Sequence, residues 1–510
     1  MKLRKLASNV AYLTMDWVSI TILSSLFWII SGKLLSSTEL GIVATVFNFA
    51  TILQFFSTLG IGIALSKLIS EFSGNSNEYK IKNILSSAIK LLLISNLLLV
   101  LLVFSFAENL SSAIKLTQQT ILISVVIAVF LSVSNVAGYI IIGFQNMRKL
   151  MLTNLFYHLV KVTISALLVF TGFSFFGPLL GITLGLLLLI ILRLDSFRLV
   201  KFGLKSQNYY RGILQYSMPA FFGGMAYLTF SNAPYITLTV VQDLSITGLF
   251  TPAMLLATPL FIFSSIFASS LFPIISNLSG QIKGSDENAF LLNIVLRYII
   301  FLTLPLAVFL ILFSDQIILL LFKPEYLPAA GLLKILSIGT LLHGFSSIFL
   351  NTIYALKKPK IQQNILISGA LFFILLSIPF TYYYSATGMT MAYIISAFIL
   401  FILSYVYLRK LIRIKLPYSD IFKISLATIL ITGFIILTKP ILPNLLSILL
   451  VLPSMAIFLI SLFYINFYNS LDLRLVEFLY LRAPKYLKPP LKLSSEILRT
   501  KLKNTSRQER

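Results

Sequence analysis

The sequence predicts an all-α integral membrane protein with about fourteen transmembrane helices. The chain of 510 residues is 58% hydrophobic and carries only 11% charged residues, whereas a soluble domain has roughly 25%. Long apolar stretches recur along the whole chain, and basic residues concentrate in every second gap between them. A bilayer is the solvent in which such a chain can keep its apolar surfaces exposed.

Each span needs roughly 20 mostly apolar residues. The first apolar stretch is longer than the core of a cleaved signal peptide, which has roughly 7–15 residues, so we interpret it as a span. The gaps between stretches are short, which predicts no inserted soluble domain. The predicted spans are 10–34, 40–65, 83–106, 119–143, 152–172, 175–193, 211–235, 245–271, 290–313, 329–355, 361–383, 386–408, 420–437 and 443–467.

Lysine and arginine residues predict the orientation of these spans. With a cytoplasmic N-terminus, 31 of the 40 basic residues lie in cytoplasmic segments and four lie on the opposite side. The positive-inside rule therefore predicts that both termini are cytoplasmic, in a multi-pass protein of the plasma membrane. The same asymmetry accounts for the net charge of +24 without a nucleic-acid partner.

Two parts of the chain resemble each other. The run 41–57 matches the run 248–264, and 143–149 matches 354–360. Spans 1–6 and 7–12 are therefore predicted to be two copies of one unit. Because six is an even number, both copies enter the membrane from the same side, which places a pseudo-two-fold axis along the membrane normal.

The repeat predicts four parts of the chain. Two six-helix bundles that face each other enclose a central cleft, which is the geometry of an alternating-access transporter. The parts are an N-terminal six-helix lobe (1–205), a second six-helix lobe (206–415), two additional transmembrane helices (416–468) and a basic cytoplasmic tail (469–510).

Short motifs flank the second and eighth spans. They are Ser37-Thr-Glu-Leu-Gly41, Leu59-Gly-Ile-Gly62, Ala64-Leu-Ser-Lys67, Ile246-Thr-Gly-Leu-Phe250 and Ser270-Leu-Phe-Pro273. With these motifs the sequence resembles the oligosaccharide flippases of the multidrug/oligosaccharidyl-lipid/polysaccharide exporter superfamily. The resemblance implies movement of a polyprenyl-(di)phosphate-linked oligosaccharide from the cytoplasmic to the outer leaflet, for cell-surface polysaccharide or glycoprotein assembly. It implies membrane lipids and glycan-assembly enzymes as partners, and no cofactor.

Ionisable residues inside spans are the candidate site residues, because a charge near the bilayer centre is costly and faces a cavity or a partner. Lys161 lies about 14 Å into the fifth span. It shares one helix face with Asn154 and His158. This stripe predicts a cationic wall that binds the pyrophosphate of a lipid carrier. The alternative is a lysine stem that reaches water or pairs inside the bundle.

Three further residues complete the prediction. Lys90 and Arg297 are equivalent in the repeat and lie about 10 Å into spans 3 and 9, so they are predicted to flank the cleft and bind an anionic headgroup. The alternative is that both reach the cytoplasmic interface. Asp16 is the only acid well inside a span. It is a candidate site for a coupling proton or cation, or else an ion-pair partner.

Two other classes of protein are weighed against a flippase. Asp16 favours a cation-coupled multidrug exporter of the same superfamily, but five basic residues inside the spans against one acid suit an anionic substrate. A membrane glycosyltransferase generally needs clustered acids on an outer loop, and the acids there are mostly isolated. The chain has no cysteine and two distant histidines, which predicts no metal site. The sequence therefore predicts a transporter rather than an enzyme.

Overall fold

The computed structural model describes residues 2–74, 77–198, 209–278, 284–412, 416–442 and 445–470, together with individual residues between 472 and 499. Within these ranges the chain is helical and contains no β-strand. The predicted all-α fold class is therefore confirmed. We call residues 2–198 the first half, residues 209–412 the second half, and residues 416–464 the C-terminal helices.

Seventeen α-helices cover the described residues, and each predicted span corresponds to helical structure. Twelve helical segments are long and apolar enough to cross a membrane. The helices are α1 Lys2–Leu34, α2 Ser37–Thr58, α3 Ile61–Gly74, α4 Glu78–Ser105, α5 Ala107–Ile114, α6 Gln118–Gly143, α7 Met147–Phe170, α8 Phe176–Arg193, α9 Tyr210–Ser231, α10 Ala233–Val241, α11 Leu244–Leu278, α12 Gly284–Leu312, α13 Ser314–Leu321, α14 Ala329–Ala355, α15 Pro359–Leu411, α16 Tyr418–Thr438 and α17 Val451–Tyr464.

Helix α15 is a hairpin and accounts for two of the predicted spans. Ser385 has non-helical backbone angles (φ 53°, ψ −139°). A Cβ on Gly388 would lie 1.8 Å from the carbonyl oxygen of Phe380, and one on Gly369 would lie 2.4 Å from the side chain of Leu400. Contacts at such sequence separations require two antiparallel segments, which the predicted spans 361–383 and 386–408 describe.

Two predicted spans are interrupted. The span predicted at 40–65 ends as a helix at Thr58, because Leu59 and Gly60 both adopt left-handed backbone angles before α3 begins. Gly60 has a φ of 72°, and a Cβ there would lie 2.5 Å from the carbonyl oxygen of Ser217. The span predicted at 211–235 divides into α9 and α10 at Asn232, where Pro234 begins the second helix.

The two halves repeat each other in structure as well as in sequence. Helix α5 begins at Ala107 and helix α13 begins at Ser314, and both have eight residues. At the crossing of α2 and α11, a Cβ on Gly41 would lie 1.7 Å from the carbonyl oxygen of Leu244. Reciprocally, one on Gly248 would lie 1.8 Å from the carbonyl oxygen of Ser37. This exchange is the contact expected where a two-fold axis passes between the helices.

Hydroxyl groups extend this contact between the halves. The Thr239 hydroxyl lies 2.8 Å from that of Thr45 and 2.8 Å from that of Thr247. Nearby, the Lys323 ammonium donates to the Leu34 carbonyl at 2.8 Å. We call this region, where α2 and α11 begin, the Gly41 end. The halves are therefore closed against each other at the Gly41 end.

At the opposite end, α9 packs against α3 and α4. The Tyr209 amide donates to the Ser87 hydroxyl at 3.2 Å, and the Lys67 ammonium lies 3.6 Å from the ring centroid of Tyr216. At this end, α9, the first helix of the second half, therefore contacts α3 and α4 of the first half. The predicted division at residues 205 and 415 stays a prediction, because both positions lie outside the described residues.

We expect Gly41→Ala to lower the melting temperature of the purified protein. The added methyl group would meet the backbone of α11, and overpacking of this kind costs typically ~1–3 kcal/mol. Gly433→Ala on α16 is the matched control, because nothing lies within 4 Å of the added methyl group. Alanine is better than glycine in a helix by about 1 kcal/mol, so the control should melt at the same temperature or higher. Equal melting temperatures of the two variants would show that α2 and α11 can move apart to accommodate the methyl group without loss of stability.

Candidate functional site

A central cavity of ≈510 Å³ lies between the halves. Helices α1, α2 and α6 form one wall, and α9, α10 and α11 form the other. The described residues that line it are neutral. They are Trp17, Ile20, Thr21, Ser24, Ser25, Trp28, Phe47, Asn48, Thr51, Gln54, Leu131, Asn135, Tyr227, Ser231, Asn232, Tyr235, Thr251, Leu255, Thr258, Pro259 and Ile262.

Amide side chains connect the two walls. The Asn232 amide, at the break between α9 and α10, donates to the Asn48 side-chain oxygen at 2.8 Å. Ser231 donates to the Asn232 oxygen at 2.7 Å. Asn135 on α6 is exposed, and no hydrogen-bond partner lies near its amide in the part of the chain that the structure describes. Gln54 donates to Thr58 at 3.2 Å. The cavity therefore offers amide donors and acceptors to a guest molecule.

Two smaller chambers open from this cavity. One, of ≈290 Å³, extends past Gln54 and Asn135 to Gly60 and Tyr139. The other, of ≈120 Å³, enters the second half beside Tyr235. At its end the His343 Nδ1 lies 2.9 Å from the Tyr393 hydroxyl, and the rings of Phe230 and Phe261 pack on that histidine.

An apolar cleft of ≈500 Å³ lies between α1 and α11, beside the central cavity. Trp17 and Pro259 line both spaces. The remaining walls of the cleft are mostly aliphatic or aromatic, with small hydroxyl residues between them. They are Leu13, Thr14, Val18, Thr21, Ile22, Ile262, Phe263, Ser265, Ile266, Ser269 and Ser270. The central cavity and the apolar cleft thus share part of their walls.

Asp16 is buried in the first half and does not line the cavity. The Asn154 amide nitrogen donates to both of its carboxylate oxygens, each at 3.1 Å. The Asn154 oxygen in turn accepts from Arg193 at 2.7 Å. Arg193 also donates to Thr153 at 3.1 Å and to the Ser134 carbonyl at 2.8 Å. Asn154 therefore joins a buried carboxylate to a buried guanidinium.

His158 and Lys161 lie one layer outside the cavity wall. The His158 Nδ1 lies 3.3 Å from the hydroxyl of Ser24, which lines the cavity. The Lys161 ammonium lies 4.6 Å from the Phe27 ring centroid and 5.6 Å from that of Tyr157. Within the described ranges no carboxylate or hydrogen-bond acceptor pairs with it. Lys161 is therefore a buried cation held by aromatic faces.

Arg297 is held by the C-terminal helices. Its guanidinium lies 2.7 Å from an Asp472 oxygen and 3.3 Å from an Asp420 oxygen, and it donates to the Phe467 carbonyl at 2.7 Å. Lys90, its counterpart in the repeat, is half-buried on α4. Neither residue belongs to the described lining of the cavity. Their predicted binding of an anionic headgroup stays a prediction, as do the roles of the other predicted residues.

Reasoning from charges missed the residues that form the cavity. The described lining contains none of the predicted cations and combines amide, hydroxyl, aromatic and aliphatic side chains. One available signal was Trp17 and Trp28, the chain's two tryptophans. They lie eleven residues apart, which places them on one face of α1. Arg193 also had no predicted role, whereas the structure buries it to 3% exposure and places it against Asn154.

The sequence matches a known protein family. A family model described as "Polysaccharide biosynthesis protein" matches residues 6–279, which is more than half of the chain. The chain belongs to the polysaccharide biosynthesis protein family. This membership confirms the resemblance drawn from the motifs around the second and eighth spans.

Solved structures share the fold of this chain. A structure of the lipid II flippase MurJ in an inward closed conformation has a TM-score of 0.74, at 20% identity, covering 89% of this chain and 98% of that chain. An inward-facing MATE family multidrug resistance transporter has a TM-score of 0.64, at 15% identity, covering 79% and 98%. At these identities the likeness shows that the chain shares their fold, and no more than that.

A curated relative matches over a shorter stretch. An uncharacterized membrane protein of Methanocaldococcus jannaschii is 30% identical over 152 residues, which are 29% of this chain and 30% of that protein. This chain thus matches less than a third of that relative's length.

We expect Arg297→Gln to loosen the C-terminal helices. Asp472, with a side chain only 7% exposed, would lose its ion-pair partner, and breaking a buried pair costs about 3–5 kcal/mol. The measurement is the melting temperature, together with protease cleavage between α16 and α17. Asp472→Asn in the same chain should restore part of the loss. Arg499→Gln is the control, because its pair with Glu477 is exposed and contributes little. A loss as large in that control would contradict the special role of Arg297.

Proposed function

We propose that the protein is a flippase that moves a polyprenyl-(di)phosphate-linked oligosaccharide from the cytoplasmic to the outer leaflet by alternating access, for cell-surface polysaccharide or glycoprotein assembly. The observation that carries the proposal is a central cavity with amide, hydroxyl and aromatic side chains in its wall, next to an apolar side cleft with which it shares Trp17 and Pro259. Membership in a polysaccharide biosynthesis family supports the class of substrate.

An amphiphilic substrate fits two such spaces at once. Its glycan would occupy the central cavity, where amides and hydroxyls replace the hydrogen bonds of water. Its polyprenyl chain would pass between α1 and α11, past Trp17 and Ile266, and stay in the bilayer. A molecule that is polar throughout would leave the apolar cleft unused.

The closed Gly41 end supports a direction of movement. The positive-inside rule places that end on the outer side of the membrane. In this state the substrate would be loaded from the cytoplasmic leaflet. Opening would separate α2 from α11 and expose the cavity to the other side. Such a rocking motion would leave the packing inside each half largely intact.

Asp16 and the buried cations enter the proposal as candidates. Asp16 would serve a coupling ion only if the Asn154 bridge to Arg193 opened during the cycle. Lys161, with no acceptor among the described residues, is the cation best able to gain a phosphate when the wall at Ser24 moves. Lys90, His158 and Asn154 stay candidates for the same anion.

The direct test is a flipping assay in liposomes. The purified protein is reconstituted, and a fluorescent polyprenyl-diphosphate oligosaccharide is followed from one leaflet to the other. We expect flipping well above empty liposomes and no uptake of cationic drugs. Drug uptake without glycan flipping would instead identify a multidrug exporter, the function of the MATE neighbour. Movement of neither compound above empty liposomes would refute a flippase.

Locking the Gly41 end should stop transport. The hydroxyls of Thr45 and Thr239 lie 2.8 Å apart, so cysteines at both positions have the close approach that a disulfide requires. The chain has no cysteine of its own, so no other thiol interferes. We expect Thr45→Cys/Thr239→Cys to flip when reduced and to stop when oxidised. Each single variant, treated alike, is the control. Full flipping by the oxidised pair would rule out opening at this end.

Replacement of Lys161 tests whether its ammonium group binds substrate or only stabilises the fold. Lys161→Met keeps an unbranched side chain and removes a buried charge that has no ion-pair partner among the described residues, so the melting temperature should stay constant or rise. Flipping should fall at least about tenfold, the loss of one ~1.4 kcal/mol contact. Lys492→Met, an exposed cation, should change neither. Normal flipping would remove Lys161 from the site, and a lower melting temperature would assign it a structural role.

A further inference from the structure

We propose that the central cavity recognises an uncharged glycan through its sugar rings and hydroxyls, and that phosphate contributes little to recognition there. This inference rests on the proposed flippase function and names the substrate class of its cavity. The observation is the composition of the wall: the described lining residues have aromatic, amide, hydroxyl and aliphatic side chains, and none of them is charged.

The aromatic residues are placed to stack on sugars. Both tryptophans of the chain line the cavity, and Trp28 packs edge-on against Phe47, at 6.2 Å between ring centroids. Tyr227 and Tyr235 face them from the second half. Aromatic rings attract the polarised C–H groups on the flat face of a sugar, while a tyrosine hydroxyl remains able to hydrogen-bond. The two halves therefore present aromatic surfaces to one shared space.

The polar residues between the rings suit hydroxyls. Asn and Gln side chains each carry donors and an acceptor, which matches a sugar hydroxyl that both donates and accepts. Asn135 has no protein partner within the described residues, and Asn232 and Ser231 form a hydrogen-bonded chain beside it. At ≈510 Å³ the cavity has the volume of an ordinary ligand site. A neutral oligosaccharide can satisfy these groups without bringing in an unpaired charge.

The ionisable groups nearest the wall do not favour a charged glycan. Asp16 is occupied by Asn154, and the Lys161 ammonium lies on the outer side of the wall, against Phe27 and Tyr157. A uronic acid or another anionic sugar in the cavity would lose water without gaining a cation among the described lining residues. Such an unpaired charge is costly in a partly dehydrated space.

The tryptophans make the test direct, because all of the protein's tryptophan emission comes from the cavity wall. The full chain is placed in phospholipid nanodiscs, which avoid sugar-headed detergents. Three short-chain polyprenyl diphosphates are titrated: one carrying a neutral hexose disaccharide, one carrying a disaccharide with a glucuronic acid, and one with no sugar. We expect the neutral probe to change the emission saturably and to bind at least about tenfold more tightly than the other two.

Variants assign the binding to the wall. Asn135→Leu removes an amide that no described residue pairs with, so the fold should persist while affinity for the neutral probe falls several-fold. Trp28→Ala should lower that affinity at least about tenfold, with Trp17 as the remaining reporter. Neither should alter binding of the sugar-free diphosphate. Phe104→Ala on α4, a residue 69% exposed and outside the cavity, is the matched control and should bind all three probes normally.

Two outcomes would overturn the inference. One is equal affinity for the neutral and the glucuronic acid probe, and the other is equal affinity for the sugar-free diphosphate. In either case the liposome assay still decides the function: flipping of both glycans alike would leave the flippase and remove only the neutral specificity. Failure to flip any lipid-linked glycan would remove the flippase itself.

Discussion

The contact between Gly41 and Gly248 sets the distance between the two halves, and most of the architecture depends on that distance. With no side chain at either position, the backbones of α2 and α11 touch directly. Thr239 can then reach both Thr45 and Thr247. Farther along the same two helices, Thr51 of α2 and Leu255 of α11 line the cavity. The same kind of close glycine contact drives helix association in lipid, where the hydrophobic effect gives no attraction between helices.

Buried charges among the described residues are mostly compensated outside the lining of the cavity. Arg297 binds Asp420 on α16 and Asp472, which follows α17, and Arg193 reaches Asp16 through Asn154. A charge in hydrocarbon is costly unless it is paired, and in these cases the pairing links helices that are distant in sequence. Lys161 departs from this pattern, because aromatic rings take the place of a carboxylate. The cavity itself is thereby left to neutral groups.

Hydrophobicity allowed the positions of the apolar helices to be predicted, because every stretch that crosses a bilayer must be apolar over its whole length. The hairpin at Ser385 was anticipated as two spans for that reason. The interruptions at Gly60 and Asn232 were not, because one or two residues with altered backbone angles leave hydropathy unchanged. The partners of Arg297 could not be predicted from the sequence either. Asp420 and Asp472 lie more than 100 residues away in the chain, and only the folded structure brings them to Arg297.

The attachment of the C-terminal helices has a consequence for how motion could be observed. Arg297 on α12 binds them through ion pairs. The rings of Phe301, also on α12, and Phe467 stack with 5.8 Å between their centroids and add an apolar contact. The C-terminal helices should therefore move together with the second half as one rigid body. None of their described residues lines the cavity. A spectroscopic label carried on α17 would report the tilt of one half relative to the other while the substrate path stays chemically unmodified.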